Sequence, residues 1–135
     1  MPCAIAENIW REMWLKFLVN CSYNAISGIG QITYAQMVQV PEIKQLIADI
    51  TQEFLAVAAF EGVHIGIEEA QRANDLIATS MATQRSSTAQ DLAKGKQTEI
   101  EFLNGYIAEL GRRYGVSTQA NQAVFALVKM LETQP

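Results

Sequence analysis

Residues 14–24 read Trp14-Leu15-Lys16-Phe17-Leu18-Val19-Asn20-Cys21-Ser22-Tyr23-Asn24, and the spacing of their polar groups decides how the chain folds. A lysine and two asparagines recur every fourth residue in a largely apolar run. Each residue of a helix turns about 100°, so a step of four drifts roughly 40° past a full turn. Lys16, Asn20 and Asn24 therefore form a narrow polar line along one helix face, flanked by Phe17, Leu18, Val19, Cys21 and Tyr23. Buried and unpaired, such groups would each cost about 1–3 kcal/mol, the ammonium more. The line must meet water, a partner chain or a ligand cleft. A polar seam in a helix bundle, with the lysine reaching solvent, stands about level with the cleft on these residues alone. Trp10 and Trp14, one turn apart, suggest a packed segment and tilt the reading toward a cleft.

Outward from this stretch, helical spacing continues through the chain. The first helix is expected over residues 5 to about 27, stopping at Ser27-Gly28-Ile29-Gly30, where two glycines weaken it. A short helix is expected from Tyr34 to Val38. Pro41 suits the first turn of the next helix, with Glu42 near its positive end. There Ile43, Leu46, Ile47, Ile50, Phe54, Val57 and Ala58 mark one buried face. Gly62 and Gly66 punctuate a turn, and Glu68 to about Thr83 reads as a weaker helix. A polar loop over 84–88 follows, with Ser87 or Thr88 capping a short helix that runs to Lys94. Gln97 to Tyr114 reads as one helix with Ile100, Leu103, Ile107 and Leu110 on a face, and Gly115 stops it. Ser117 or Thr118 starts the last helix, which carries Val124, Phe125, Leu127, Val128 and Leu131. No alternating strand pattern and no repeat appears. The expected fold is an all-α, multi-helix bundle spanning residues 1–135 as one domain.

Half of the residues are hydrophobic and 18% are charged, which suits a chain with a sizeable core and not a disordered one. A net charge of −4 argues against a nucleic-acid partner, which would favour a basic face. The apolar runs fall short of the roughly 18 residues of a membrane span. Cys3 and Cys21 form no CxxC motif or disulfide framework, so reduced thiols in the cytoplasm are expected.

Three constellations invite chemistry and two fail. Gly28-x-Gly30 lacks a third glycine and follows a helix, whereas a dinucleotide fingerprint joins a strand to a helix. Glu61-x-x-His64 has the spacing of a carboxylate-bridged metal site, but such a site needs a second copy and the chain has one histidine. No metal ligand set is expected. The third constellation is the polar line together with two distant segments. These are Ser86-Ser87-Thr88-Ala89-Gln90-Asp91-Leu92 and Lys94-Gly95-Lys96-Gln97-Thr98-Glu99-Ile100-Glu101-Phe102-Leu103-Asn104-Gly105-Tyr106.

Taken with Trp14-x-Lys16-x-x-x-Asn20-x-x-x-Asn24, these segments resemble the C-terminal domain of the ketopantoate reductase (2-dehydropantoate 2-reductase) family. The closing stretches Gly111-Arg112-Arg113-Tyr114-Gly115-Val116-Ser117-Thr118 and Ala126-Leu127-Val128-Lys129 extend the resemblance over nearly all 135 residues. It implies a helical domain like those of 6-phosphogluconate dehydrogenase-type reductases, closing one side of a cleft. An N-terminal Rossmann domain, absent from this chain, would bind NADP(H). The implied reaction is NADPH-dependent reduction of 2-dehydropantoate, or a related 2-keto acid, to a 2-hydroxy acid in pantothenate and coenzyme A synthesis. By resemblance Lys16 is the catalytic general acid, and Asn20, Asn24 and Ser87 bind substrate. Glu99 lies on the cofactor side.

The plain alternatives are that Ser87 only caps a helix and that Glu99 only favours a helix start. The family often has proline after the second asparagine, where this chain has Ala25, and proline where Gln119 stands. These departures leave a related 2-keto acid open as the substrate. The chain alone is expected to hold no NADP(H), to lack activity and to self-associate through exposed apolar helix faces. A non-catalytic dimerisation or interaction module is the competing reading.

Overall fold

A computed structural model describes the backbone of residues 2–134 and the side chains of residues 5–134. Cys3 therefore has no described side chain. Among the described residues there are seven α-helices, one 3-10 turn and no strand. In chain order these are α1 (Pro2–Gly30), α2 (Tyr34–Met37), α3 (Pro41–Phe60), α4 (Ile67–Ser80) and α5 (Ser87–Ala93). A 3-10 turn (Ile100–Phe102) precedes α6 (Asn104–Tyr114) and α7 (Gln119–Glu132). The all-α expectation holds.

α1 is the central rod, and α3, α4, α5 and α7 all pack against it. Leu18, Cys21 and Ala25 are fully buried along its inner side. Phe54 of α3 is also fully buried, with its ring 5.8 Å from Trp14 and 5.0 Å from Phe17. On the predicted inner face of α3, Ile47, Ile50, Phe54, Val57 and Ala58 are buried, and Ile43 and Leu46 are partly buried against the core. α3 begins at Pro41, whose missing N–H costs nothing in a first turn. Thr33 and Gln36 form a reciprocal capping box that starts α2.

The structure corrects five readings. α1 does not stop at Gly28. It runs to Gly30 and ends at Gln31, the residue with φ of +52°. The glycine at position 28 serves packing and not a stop, because α5 lies where a side chain would be: a Cβ there would sit 2.8 Å from Thr88 Cγ2. Trp14 is buried as expected, but Trp10 is 51% exposed and only edges against it. The fourth helix ends at Ser80, three residues earlier than expected. The short helix α2 ends at Met37, one residue earlier than expected.

The fifth correction concerns Gln97–Tyr114, which is not one helix. The backbone breaks at Leu103, with φ −111° and ψ −108°, between the 3-10 turn and α6. Asn104 explains the break. Fully buried, it turns inward and its Nδ2 donates to the Cys21 carbonyl at 3.1 Å and to Asn121 Oδ1 at 2.9 Å. Asn121 in turn donates to Glu53 Oε1 at 2.8 Å, and Glu53 also accepts the Ala120 and Asn121 backbone N–H groups. The carboxylate thereby satisfies the positive end of α7. A straight helix through Leu103 would lose this inward placement of Asn104.

Candidate functional site

The side chains of Lys16, Asn20 and Asn24 border one cavity of about 360 Å³ between α1 and α4. Lys16 is exposed, Asn20 half-buried and Asn24 8% exposed, so the polar line descends from solvent into the protein. Lys16 enters no ion pair among the described residues, which leaves its ammonium available to a ligand. Leu15 and Val19 of α1 and Leu76 and Ile77 of α4 line the same cavity.

Beneath the line, a relay of buried hydroxyls and amides locks α1 to α3 and α4. The Ser22 hydroxyl donates to the Leu18 carbonyl at 3.0 Å and lies 3.2 Å from Thr51 Oγ1. Thr51 therefore donates to Ser22 and accepts from Asn74 Nδ2 at 3.0 Å. Beside this relay, the Tyr23 hydroxyl donates to the Asn74 carbonyl at 2.8 Å. Burial, with the Asp75 carboxylate adding to it, pushes the Tyr23 phenol up to about 12, so it stays a proton donor at neutral pH. Burial likewise pushes the Cys21 thiol well up, which makes it a core group and not a nucleophile.

α5 is held against the end of α1 by its first residues. Ser86, and not Ser87 or Thr88, caps α5: its Oγ accepts from the Ala89 N–H at 3.1 Å and donates to the Asn24 carbonyl at 2.8 Å. The Ser86 N–H donates to Ser27 Oγ, and Gln31 Nε2 donates to the Ala89 carbonyl. Ser87 is thus relieved of the capping role. Its side chain is exposed and does not border the α1–α4 cavity.

Gly28 permits this docking. Replacing it with valine is expected to destabilise the domain by about 1–3 kcal/mol through overpacking, because Thr88 and the Ala89 backbone stand within 3.4 Å of the new Cβ. The Ala89 amide, protected by Ser86, should then exchange with solvent markedly faster. Unaltered exchange in Gly28→Val would refute the close contact.

Glu99 stands apart from this group. It is exposed and stands at the N-cap of the 3-10 turn, with no capping bond from its side chain. Its neighbour Thr98 is fixed instead, donating through its N–H and hydroxyl to Glu132 at 2.9 and 2.7 Å. Glu99 does not border the α1–α4 cavity. His64 is exposed, Glu61 accepts from the Tyr114 hydroxyl, and no metal-binding group occurs among the described residues. Tyr23 and the α4 wall were missed by sequence reasoning. The signals were present: Tyr23 follows Lys16 by seven residues, two helical turns, and Ala73, Leu76 and Ile77 share one face of α4.

Residues 8–132 match the family described as ketopantoate reductase PanE/ApbA C terminal. The chain belongs to this family. A 2-dehydropantoate 2-reductase of Pyrobaculum aerophilum is 35% identical over 132 residues, covering 96% of this chain and 46% of that protein. The crystal structure of a PanE/ApbA family ketopantoate reductase from Ralstonia eutropha JMP134 is similar with a TM-score of 0.86 and 40% identity. That match covers 90% of this chain and 41% of the other. A D-mandelate dehydrogenase solved with NADH and anilino(oxo)acetate is similar with a TM-score of 0.85 and 28% identity, over 93% and 41% of the two chains. The chain thus spans less than half the length of these relatives. No helix among its described residues is long and apolar enough to cross a membrane.

Proposed function

We propose that this domain is the substrate-side half of a cytoplasmic NADPH-dependent reductase. It turns 2-dehydropantoate, or a related 2-keto acid, into the 2-hydroxy acid, in the first case for pantothenate synthesis. The observation that carries the reading is the cavity shared by Lys16, Asn20 and Asn24. An ammonium there stabilises the charge that develops on a keto oxygen and supplies its proton. The two amides offer donors and acceptors to the carboxylate and hydroxyl oxygens without adding charge. Ser87, exposed and not spent on capping α5, is read as a further substrate contact.

A nicotinamide cofactor, when bound, supplies the hydride; NADH in the solved D-mandelate dehydrogenase supports a cofactor of this type. This chain's own fit to such a group is confined to the exposed Glu99 carboxylate, which can accept hydrogen bonds from cofactor hydroxyl or amide groups. The phosphate-cradling turn needs a strand, and none occurs among the described residues. The nucleotide-binding half is therefore assigned to a Rossmann domain outside these 135 residues. The exposed ridge of Ile5, Ile9, Trp10 and Met13 on α1 supports a covering partner, either that domain or a second copy of this chain.

The test is a reductase assay on two proteins. A full-length reductase containing these residues is expected to oxidise NADPH with a 2-keto acid, and the 135-residue chain alone to be silent. Turnover by the lone chain would overturn the half-site reading, and silence of both would overturn the reductase reading.

A further inference from the structure

The α1–α4 cavity is divided by chemistry. Its polar lining, Glu12, Lys16, Asn20 and Asn24, comes from α1 beside Leu15 and Val19, with Tyr34 from α2. By contrast, Ala73, Leu76 and Ile77 of α4, with Met81 just beyond its end, offer no polar side chain. Leu76, 62% exposed, forms the outer rim of this wall. Tyr23 borders this cavity and also a second one of about 260 Å³ between α3 and α4, so its ring stands between the two. That ring is held edge-on by Tyr34 at 5.5 Å and by the bond to the Asn74 carbonyl, which commits its proton.

We infer that α4 is the specificity surface of this site and that the substrate is a 2-keto acid with a bulky, apolar chain beyond the carbonyl. Leu76, Ile77 and Met81 receive that chain, and Tyr23 limits its length. The inference rests on the reductase reading and deepens it. A keto-acid head held by the polar line leaves its substituent to meet the α4 wall. A hydroxyl placed there would shed water and find no α4 side chain to bond. An apolar branch would lose only unfavourable hydration. Differences of this size in an apolar pocket are worth about 10–200-fold.

The experiment is an NMR titration of a full-length reductase containing these residues and saturated with NADP⁺, observing backbone amides and the Leu, Ile and Met methyl groups. Three probes are used: pyruvate, 4-methyl-2-oxopentanoate and 2-dehydropantoate. All three are expected to shift the Asn20 and Asn24 signals. The methyl-branched acid should bind at least about tenfold more tightly than either other, and move the Leu76, Ile77 and Met81 methyls most. Leu76→Gln, at an exposed position that leaves the fold intact, should erase that advantage. Leu76→Ala should reduce it without making the wall polar. Equal or tighter binding of 2-dehydropantoate, or indifference to both substitutions, overturns the inference and leaves the keto-acid site standing. Absence of any response at Asn20 and Asn24 overturns both.

Discussion

Replacing Lys16 with alanine in a full-length reductase containing this domain is expected to lower kcat by about 10²–10⁴, the usual worth of a positioned general acid. The fold should be untouched, because Lys16 is exposed and makes no ion pair among the described residues. KM should change less, since Asn20, Asn24 and Ser87 still face the substrate in this reading. Lys16→Arg separates two contributions. Guanidinium keeps the positive charge beside the developing alkoxide but does not release a proton at ordinary pH. It should recover part of the loss and no more. Steady-state kinetics at saturating NADPH decide the matter. An alanine variant that turns over like the parent would leave the polar line as a structural seam.

The polar line was legible because it depends only on helical period. Once residues 14–24 were helical, Lys16, Asn20 and Asn24 had to share a face, and they border one cavity. The buried side of α3 was legible for the same reason. What escaped were features set by partners distant in the chain. Gly28 looks like a helix stop from local propensity, but α5 takes the space over it. The break before α6 depends on Asn104 meeting Cys21 and Asn121, contacts across 83 and 17 residues. Ser86 and Ser87 are chemically identical in sequence, and only the bond from Ser86 to Asn24 shows which one caps. That exchange of roles leaves the Ser87 hydroxyl exposed and free of capping. Ridges such as Ile5, Ile9 and Met13 obey the same period as a buried face, so sequence alone cannot say that they are uncovered.

The position of Lys16 depends in turn on the joint between α1 and α3, and Phe54 is the centre of that joint. Its ring is fully buried and meets Trp14 and Phe17 at 5.8 and 5.0 Å, with the Phe17 contact near perpendicular at 81°. Phe54→Ala is expected to cost about 3–5 kcal/mol, combining lost transfer energy with the cavity left behind. Each edge-to-face pair adds about 0.5–1.5 kcal/mol beyond its buried area. Against a total stability of about 5–15 kcal/mol for a domain, this is a large share. The thermal midpoint should fall by roughly 10–20 °C for a chain of this size. Phe60→Ala is the matched control on the same helix: that ring is 58% exposed and stacks only on Tyr114 at 5.0 Å. It should cost about 1 kcal/mol or less, the scale of one aromatic pair. Urea unfolding of the two variants measures the contrast. Similar losses at both positions would mean that α1 is held mainly elsewhere, through the Asn104 and Ser22 contacts. Phe54→Leu should retain most of the stability, since it keeps apolar volume. If it also keeps the Lys16 amide signal at its original position, α1 holds its register on α3 through volume filled at this point, independent of ring geometry.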